Sequence, residues 1–132
     1  MGKYVIVGAS QGIGESIATA LLAAGHEVIN FSRNPSSLTG VLNYTWDALE
    51  SDDSAVAAIT GPVDGIAYCP GSINLRPFKG LKIEAFETDL QINFISLVKV
   101  IQTVLPNLTA SEQSSIVLFS SVAATMGMPF HT

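Results

Sequence analysis

Apolar positions along the chain fall into short β-branched runs and longer stretches with helical spacing. Lys3 to Val7 is such a run and predicts a strand. A glycine-rich segment, 8–14, follows it. Ile13, Ile17, Leu21 and Ala24 then recur at helical spacing, and Gly25 stands where a helix should stop. Residues 27–31 predict a second strand, 34–37 a turn and 42–46 a third strand. Residues 54–59 predict a short helix capped by Ser51, Asp52 or Asp53. Gly61 and Pro62 break the chain before a fourth strand over 63–69. The longest periodic segment runs from Ile83 to Leu105. Phe86, Leu90, Phe94, Leu97, Val98, Ile101 and Leu105 mark one face of a long helix, and Pro106 should end it. Residues 115–120 enclose a fifth strand, and the last dozen residues read as a loop.

Strands alternating with helices imply an α/β fold of Rossmann type, a doubly wound parallel sheet with helices on both faces. Nothing resembles a linker or an internal repeat, so residues 1–132 read as one domain. The chain stops just after a strand and a loop, with no helix to cover that edge. The domain is therefore expected to be incomplete at its C-terminal side.

Composition narrows the function. Hydrophobic residues make up 48% and charged residues 13%, which suits a globular chain with fully buried strands. No apolar run approaches the roughly 18–20 residues of a membrane helix, so no membrane partner is expected. A net charge of −5 argues against a nucleic-acid partner. The single cysteine, Cys69, makes no internal disulfide, and no targeting signal is recognisable, so a cytoplasmic location is expected. Two isolated histidines and one cysteine give no metal site. Lys3 and Trp46 read as structural, and Phe86, Phe94 and Phe119 as core.

Chemistry concentrates first in Gly8-Ala9-Ser10-Gln11-Gly12-Ile13-Gly14, between a strand and a helix. In that context the first glycine turns the chain off the strand. The second admits a phosphate to the backbone, and the third lets the helix pack close to the sheet. Backbone N–H groups and the helix dipole can then hold a pyrophosphate. The Lys-Ser/Thr of an ATP-hydrolysing loop is missing. After the second strand, where an adenosine ribose would sit, stand Ser32, Arg33 and Asn34. A guanidinium suits a 2′-phosphate, so NADP(H) is expected over NAD(H).

These residues resemble the classical short-chain dehydrogenases/reductases, and the resemblance runs in order along all 132 residues. Gly8, Gly12 and Gly14 match that family's Gly-x3-Gly-x-Gly coenzyme loop. Asp47, with Ala48 beside it, matches the family's adenine-binding aspartate segment. Cys69, Pro70 and Gly71 stand where the family has Asn-Ala-Gly. Asn93 matches the asparagine of the long helix, and Ser121 the catalytic serine. The resemblance implies Ser121 and Asn93 as catalytic residues, a small carbonyl or alcohol substrate, and homo-oligomers paired through the helix from Ile83 to Leu105. It also implies a Tyr-x-x-x-Lys acid/base pair. Tyr4, Tyr44 and Tyr68 are followed four residues later by Gly8, Ala48 and Ser72, so these residues lack the pair. The reading is the coenzyme-binding half of an oxidoreductase, truncated before that motif and inactive by itself. The alternative is an NADP(H)-binding sensor or scaffold without chemistry.

Overall fold

The computed structural model describes residues 1–131. Five strands are present: β1 (Lys3–Val7), β2 (Glu27–Ser32), β3 (Val41–Thr45), β4 (Gly65–Tyr68) and β5 (Ser115–Leu118). All adjacent pairs are parallel, in the order β3-β2-β1-β4-β5. The chain leaves β1 for β2 on one side and returns past β1 to β4 on the other. Strand direction of growth therefore switches beside β1, and the carboxyl ends of β1 and β4 frame a crevice there.

Helix α1 (Gly12–Ala23) covers one face. Helices α2 (Ser54–Ala57) and α4 (Ser96–Thr109) cover the other. The two-residue alternation of a strand sorts the side chains. Val5, Val7, Ile29, Phe31, Ile66 and Tyr68 meet Val100, Val104 and Leu108 of α4. Ile6, Val28 and Ala67 meet Ala18 and the half-buried Ile17 and Leu21 of α1. Helix α1 stops as its glycine predicts: His26 N–H bonds the Leu21 carbonyl and Gly25 N–H the Leu22 carbonyl.

Several expectations need correction. The fourth strand is shorter than 63–69, and α2 shorter than 54–59. Asp53 stands at the N-cap of α2 without capping it; Asp52 instead accepts the Ser54 N–H at 2.9 Å. The long helix continues past Pro106 to Thr109. It comprises α3 (Ile83–Leu90), a π-helical turn over Gln91–Ile95, and α4. The π turn rotates α4 relative to α3, so the buried stripe is Ser96, Val100, Val104 and Leu108. Of the face expected from the spacing, Leu90, Phe94, Val98 and Leu105 are exposed, while Leu97 and Ile101 pack against the core. Phe119 is exposed too, and Phe86 is half-buried with its ring edge-on to Phe78 at 6.0 Å. The 27 residues Ile83–Thr109 are long and apolar enough to cross a bilayer, against the expectation from apolar runs alone. That apolarity divides between a stripe seated on the sheet and a stripe facing outward.

Candidate functional site

A cleft of about 550 Å³ opens where β1, β2, β3 and β4 end. Its walls come from the segments that follow those strands. Gly8, Ser10, Gln11, Gly12, Ile13 and Gly14 form one wall, and Ser32, Arg33 and Asn34 another. Asp47 and Ala48 follow β3, while Cys69, Pro70 and Gly71 follow β4. All the residues nominated from sequence as coenzyme-binding thus line one space. Phe31, Trp46, Leu49, Ser72 and Ile92 line it too.

Backbone geometry at the glycine turn explains its residue types. Gly12 has φ +62° and nothing within 4 Å of where a Cβ would stand, so its backbone faces open cleft. A Cβ on Gly14 would lie 2.1 Å from the Gly8 carbonyl oxygen, so α1 can approach β1 only through a glycine. Gln11 stands at the N-cap of α1 and its side chain makes no capping bond to the first-turn N–H groups. Uncapped N–H groups and the positive helix end favour an anion. Ile13 is 60% exposed at the cleft, not buried as its helical spacing suggested.

Arg33 is exposed on the rim and makes no ion pair among the described residues. Asp47 closes a local turn, its Oδ1 accepting the Leu49 N–H at 2.9 Å. Trp46 is buried, and its indole N–H donates to Asp53 Oδ1 at 2.9 Å. Asp53 also pairs with Lys99 at 3.2 Å, so α4 braces this wall. The Ala48 carbonyl accepts from Gln91 Nε2 at 3.2 Å and from the Ser96 hydroxyl. Cys69 is half-buried, and burial pushes its thiol up to about 11. The Tyr68 phenol donates to the Ile92 carbonyl at 2.6 Å, and burial pushes its pKa upward.

Asn93 and Ser121 are not among the cleft-lining residues. Asn93 lies in the π turn and clamps the segment after β4. Its Nδ2 donates to the Ser72 and Asp89 carbonyls, both at 2.8 Å, and its Oδ1 accepts the Ser72 N–H at 3.1 Å. Ser72 in turn donates to Asp89 Oδ1 at 2.5 Å. Ser121 lies beyond β5, where its Oγ accepts the Ala123 N–H at 3.2 Å and caps a 3-10 turn. Among the described residues no group of three or more His, Cys, Asp or Glu side chains could hold a metal ion.

A parallel sheet of this order, with a glycine turn in the crevice beside its first strand, defines a Rossmann-type α/β protein. The family model of the short chain dehydrogenases matches residues 3–132, and the chain belongs to that family, which binds nicotinamide dinucleotides. It is 28% identical to L-xylulose reductase of Bos taurus, over 98% of this chain and 57% of that protein. It is also 28% identical to D-erythrulose reductase of Gallus gallus, over 98% of this chain and 56% of that protein. Among solved structures, a short chain dehydrogenase family protein from Francisella tularensis superposes with TM-score 0.89 at 26% identity. The match covers 99% of this chain and 55% of that one. Aldohexose dehydrogenase of Thermoplasma acidophilum superposes equally well, TM-score 0.89, at 22% identity over 98% of this chain and 53% of its own. The chain spans a little over half the length of the curated relatives it matches.

Proposed function

We propose that this chain is the coenzyme-binding half of an NADP(H)-dependent oxidoreductase that reduces a carbonyl or oxidises an alcohol on a small molecule. The observation that carries the reading is the convergence of the glycine turn and Arg33 on one cleft. In it, Gly8 to Gly14 would hold the pyrophosphate, with Ser10, Gln11 and Ile13 in the turn. Ser32, Arg33 and Asn34 would hold the adenosine 2′-phosphate, and Asp47 and Ala48 the adenine. Cys69, Pro70 and Gly71 would flank the rest of the dinucleotide, which supplies the hydride or accepts it. The open space at Gly12 and the uncapped start of α1 suit such a ligand. The names of the two reductase relatives support a polyhydroxy carbonyl substrate.

In this reading Ser121 orients and polarises the substrate carbonyl. Asn93 positions the segment after β4, through the bonds to Ser72, and links the acid/base pair to solvent. No tyrosine here is followed by lysine four residues on, and the Tyr68 phenol is engaged by the Ile92 carbonyl. The 132 residues are therefore proposed to bind coenzyme without turning substrate over at a useful rate. A lone half-buried cysteine suits a reducing cytoplasm. A second reading is an NADP(H)-binding sensor or scaffold. Proline and cysteine in the segment after β4 favour it, as does the Ser121 hydroxyl's bond to the Ala123 N–H.

Trp46 is the only tryptophan and lines the cleft, so its fluorescence can follow binding. NADPH is expected to bind about tenfold more tightly than NADH, a difference of about 1.4 kcal/mol from one bidentate contact to the 2′-phosphate. Arg33→Ala should remove that difference. Equal affinities, or a preference that survives Arg33→Ala, would sink the coenzyme assignment. NADPH oxidation by a protein extended through a Tyr-x-x-x-Lys segment, on a panel of carbonyls, separates the enzyme from the sensor.

A further inference from the structure

The centre of β2 carries a polar side chain that the cleft does not touch. Asn30 is 0% exposed in a strand otherwise filled by Val28, Ile29 and Phe31. Its amide makes three hydrogen bonds of 2.8 Å. Oδ1 accepts the Ala9 N–H of the glycine turn, and Nδ2 donates to Ser32 Oγ and to Asn43 Oδ1. These last partners reach the loop that carries Arg33. The Ser32 hydroxyl donates to the Asn34 carbonyl. Asn43 accepts the Ser36 N–H at 2.8 Å and donates to the Ser36 carbonyl at 3.2 Å. Ser36 is itself buried.

A carboxamide suits this junction for a chemical reason. It offers an acceptor on one side and two N–H groups on the other. Aspartate would set one carboxylate oxygen against the Asn43 carbonyl oxygen. Leucine would leave the buried Ala9 N–H without a partner, and an orphaned buried donor is costly. Both walls of the cleft therefore take their relative placement from one side chain.

We propose that Asn30 is a positioning residue that couples the glycine turn to the Arg33 loop and so sets discrimination at the adenosine 2′ position. The proposal rests on the dinucleotide reading of the cleft and adds a residue that does not line it. Asn30 acts through Ala9 on the pyrophosphate side and through Ser32, Asn43 and Ser36 on the ribose side. Loosening the second group should blunt 2′-phosphate recognition while leaving the pyrophosphate side intact.

The test uses adenosine 2′,5′-bisphosphate and adenosine 5′-monophosphate as probes in titration calorimetry. Wild type should prefer the bisphosphate by about tenfold, the worth of one bidentate charge-assisted contact. Asn43→Ala, on the edge strand β3, removes the bonds to Ser36 and should cut the ratio to about threefold or less with monophosphate affinity unchanged. Asn30→Ala should cut it similarly and weaken both probes. In an Arg33→Ala background neither change should alter the ratio further, since both act by placing Arg33. A ratio that stays near its wild-type value in both single variants, or effects that persist without Arg33, overturns the proposal. A wild-type ratio of one instead overturns the NADP(H) preference. The coupling is then decided by amide hydrogen exchange. Asn30→Ala speeding exchange at both Ala9 and Ser36 upholds it; Ala9 alone overturns it.

Discussion

Cys69 shows how a single residue reads differently in sequence and in space. The thiol follows β4 into the cleft wall, half-buried, and desolvation disfavours its thiolate. A pKa raised from 9.0 to about 11 means the folded chain keeps the proton longer than the unfolded chain. The associated stability is complete below pH 9.0 and is lost as pH rises through about 11. Iodoacetamide should alkylate Cys69 slowly at pH 8 and far faster above pH 10, and saturating NADPH should slow it further. Rapid modification at pH 8 would contradict the burial. At this scale the glycine turn was legible, because its three glycines and flanking elements are contiguous in the chain. So was Arg33, placed by the end of its strand. Asn30 and Trp46 were not. Asn30 lies inside an apolar run and reads as strand, although a carboxamide centred in a fully buried parallel strand was itself a signal. Trp46 reads as structural, and it is buried, yet it also lines the cleft. Ser121 was nominated only through the family resemblance, and in the structure its hydroxyl caps a turn outside the cleft lining.

Among the elements, the segment Ile83–Thr109 departed most from its sequence pattern. Helical periodicity assumes one uninterrupted phase, and the π turn at Gln91–Ile95 breaks that phase. Of the face expected after the turn, Leu97 and Ile101 still pack against the core, while Val98 and Leu105 face outward. Helix α4 runs on past the exposed Pro106, whose carbonyl accepts the Ala110 N–H at 3.1 Å. Two neighbouring substitutions check the corrected phase by urea denaturation. Val104→Ala, at a position with 0% exposure, should cost about 2 kcal/mol, whereas Leu105→Ala should cost less than about 0.5 kcal/mol. The reverse order would restore the uninterrupted helix. The strands were legible to within two residues at each end, because β-branched runs bounded by glycine and proline mark them locally.

For the whole molecule, strand order positions the cleft, and the outward stripe of Ile83, Leu90, Phe94, Val98 and Leu105 leaves one side apolar. Pairing of two copies through this helix is the proposed association. Analytical ultracentrifugation should show a concentration-dependent dimer that Val98→Glu disrupts, while one monomer mass at every concentration would exclude it. Strand order could not be read from the chain, since pairing partners are distant in sequence and every local signal is compatible with other orders. That same topology governs how the native state is reached. No two neighbouring strands are joined by a hairpin, so no part of the sheet can zip from a tight turn. β1, made before the other four strands, must wait for β2 on one flank and for β4 on the other. Refolding followed by Trp46 emission should accordingly take on the order of milliseconds to seconds, not microseconds. During that interval an apolar central strand stands unpaired, and a chaperone that shields its first residues should raise the yield of folded chain.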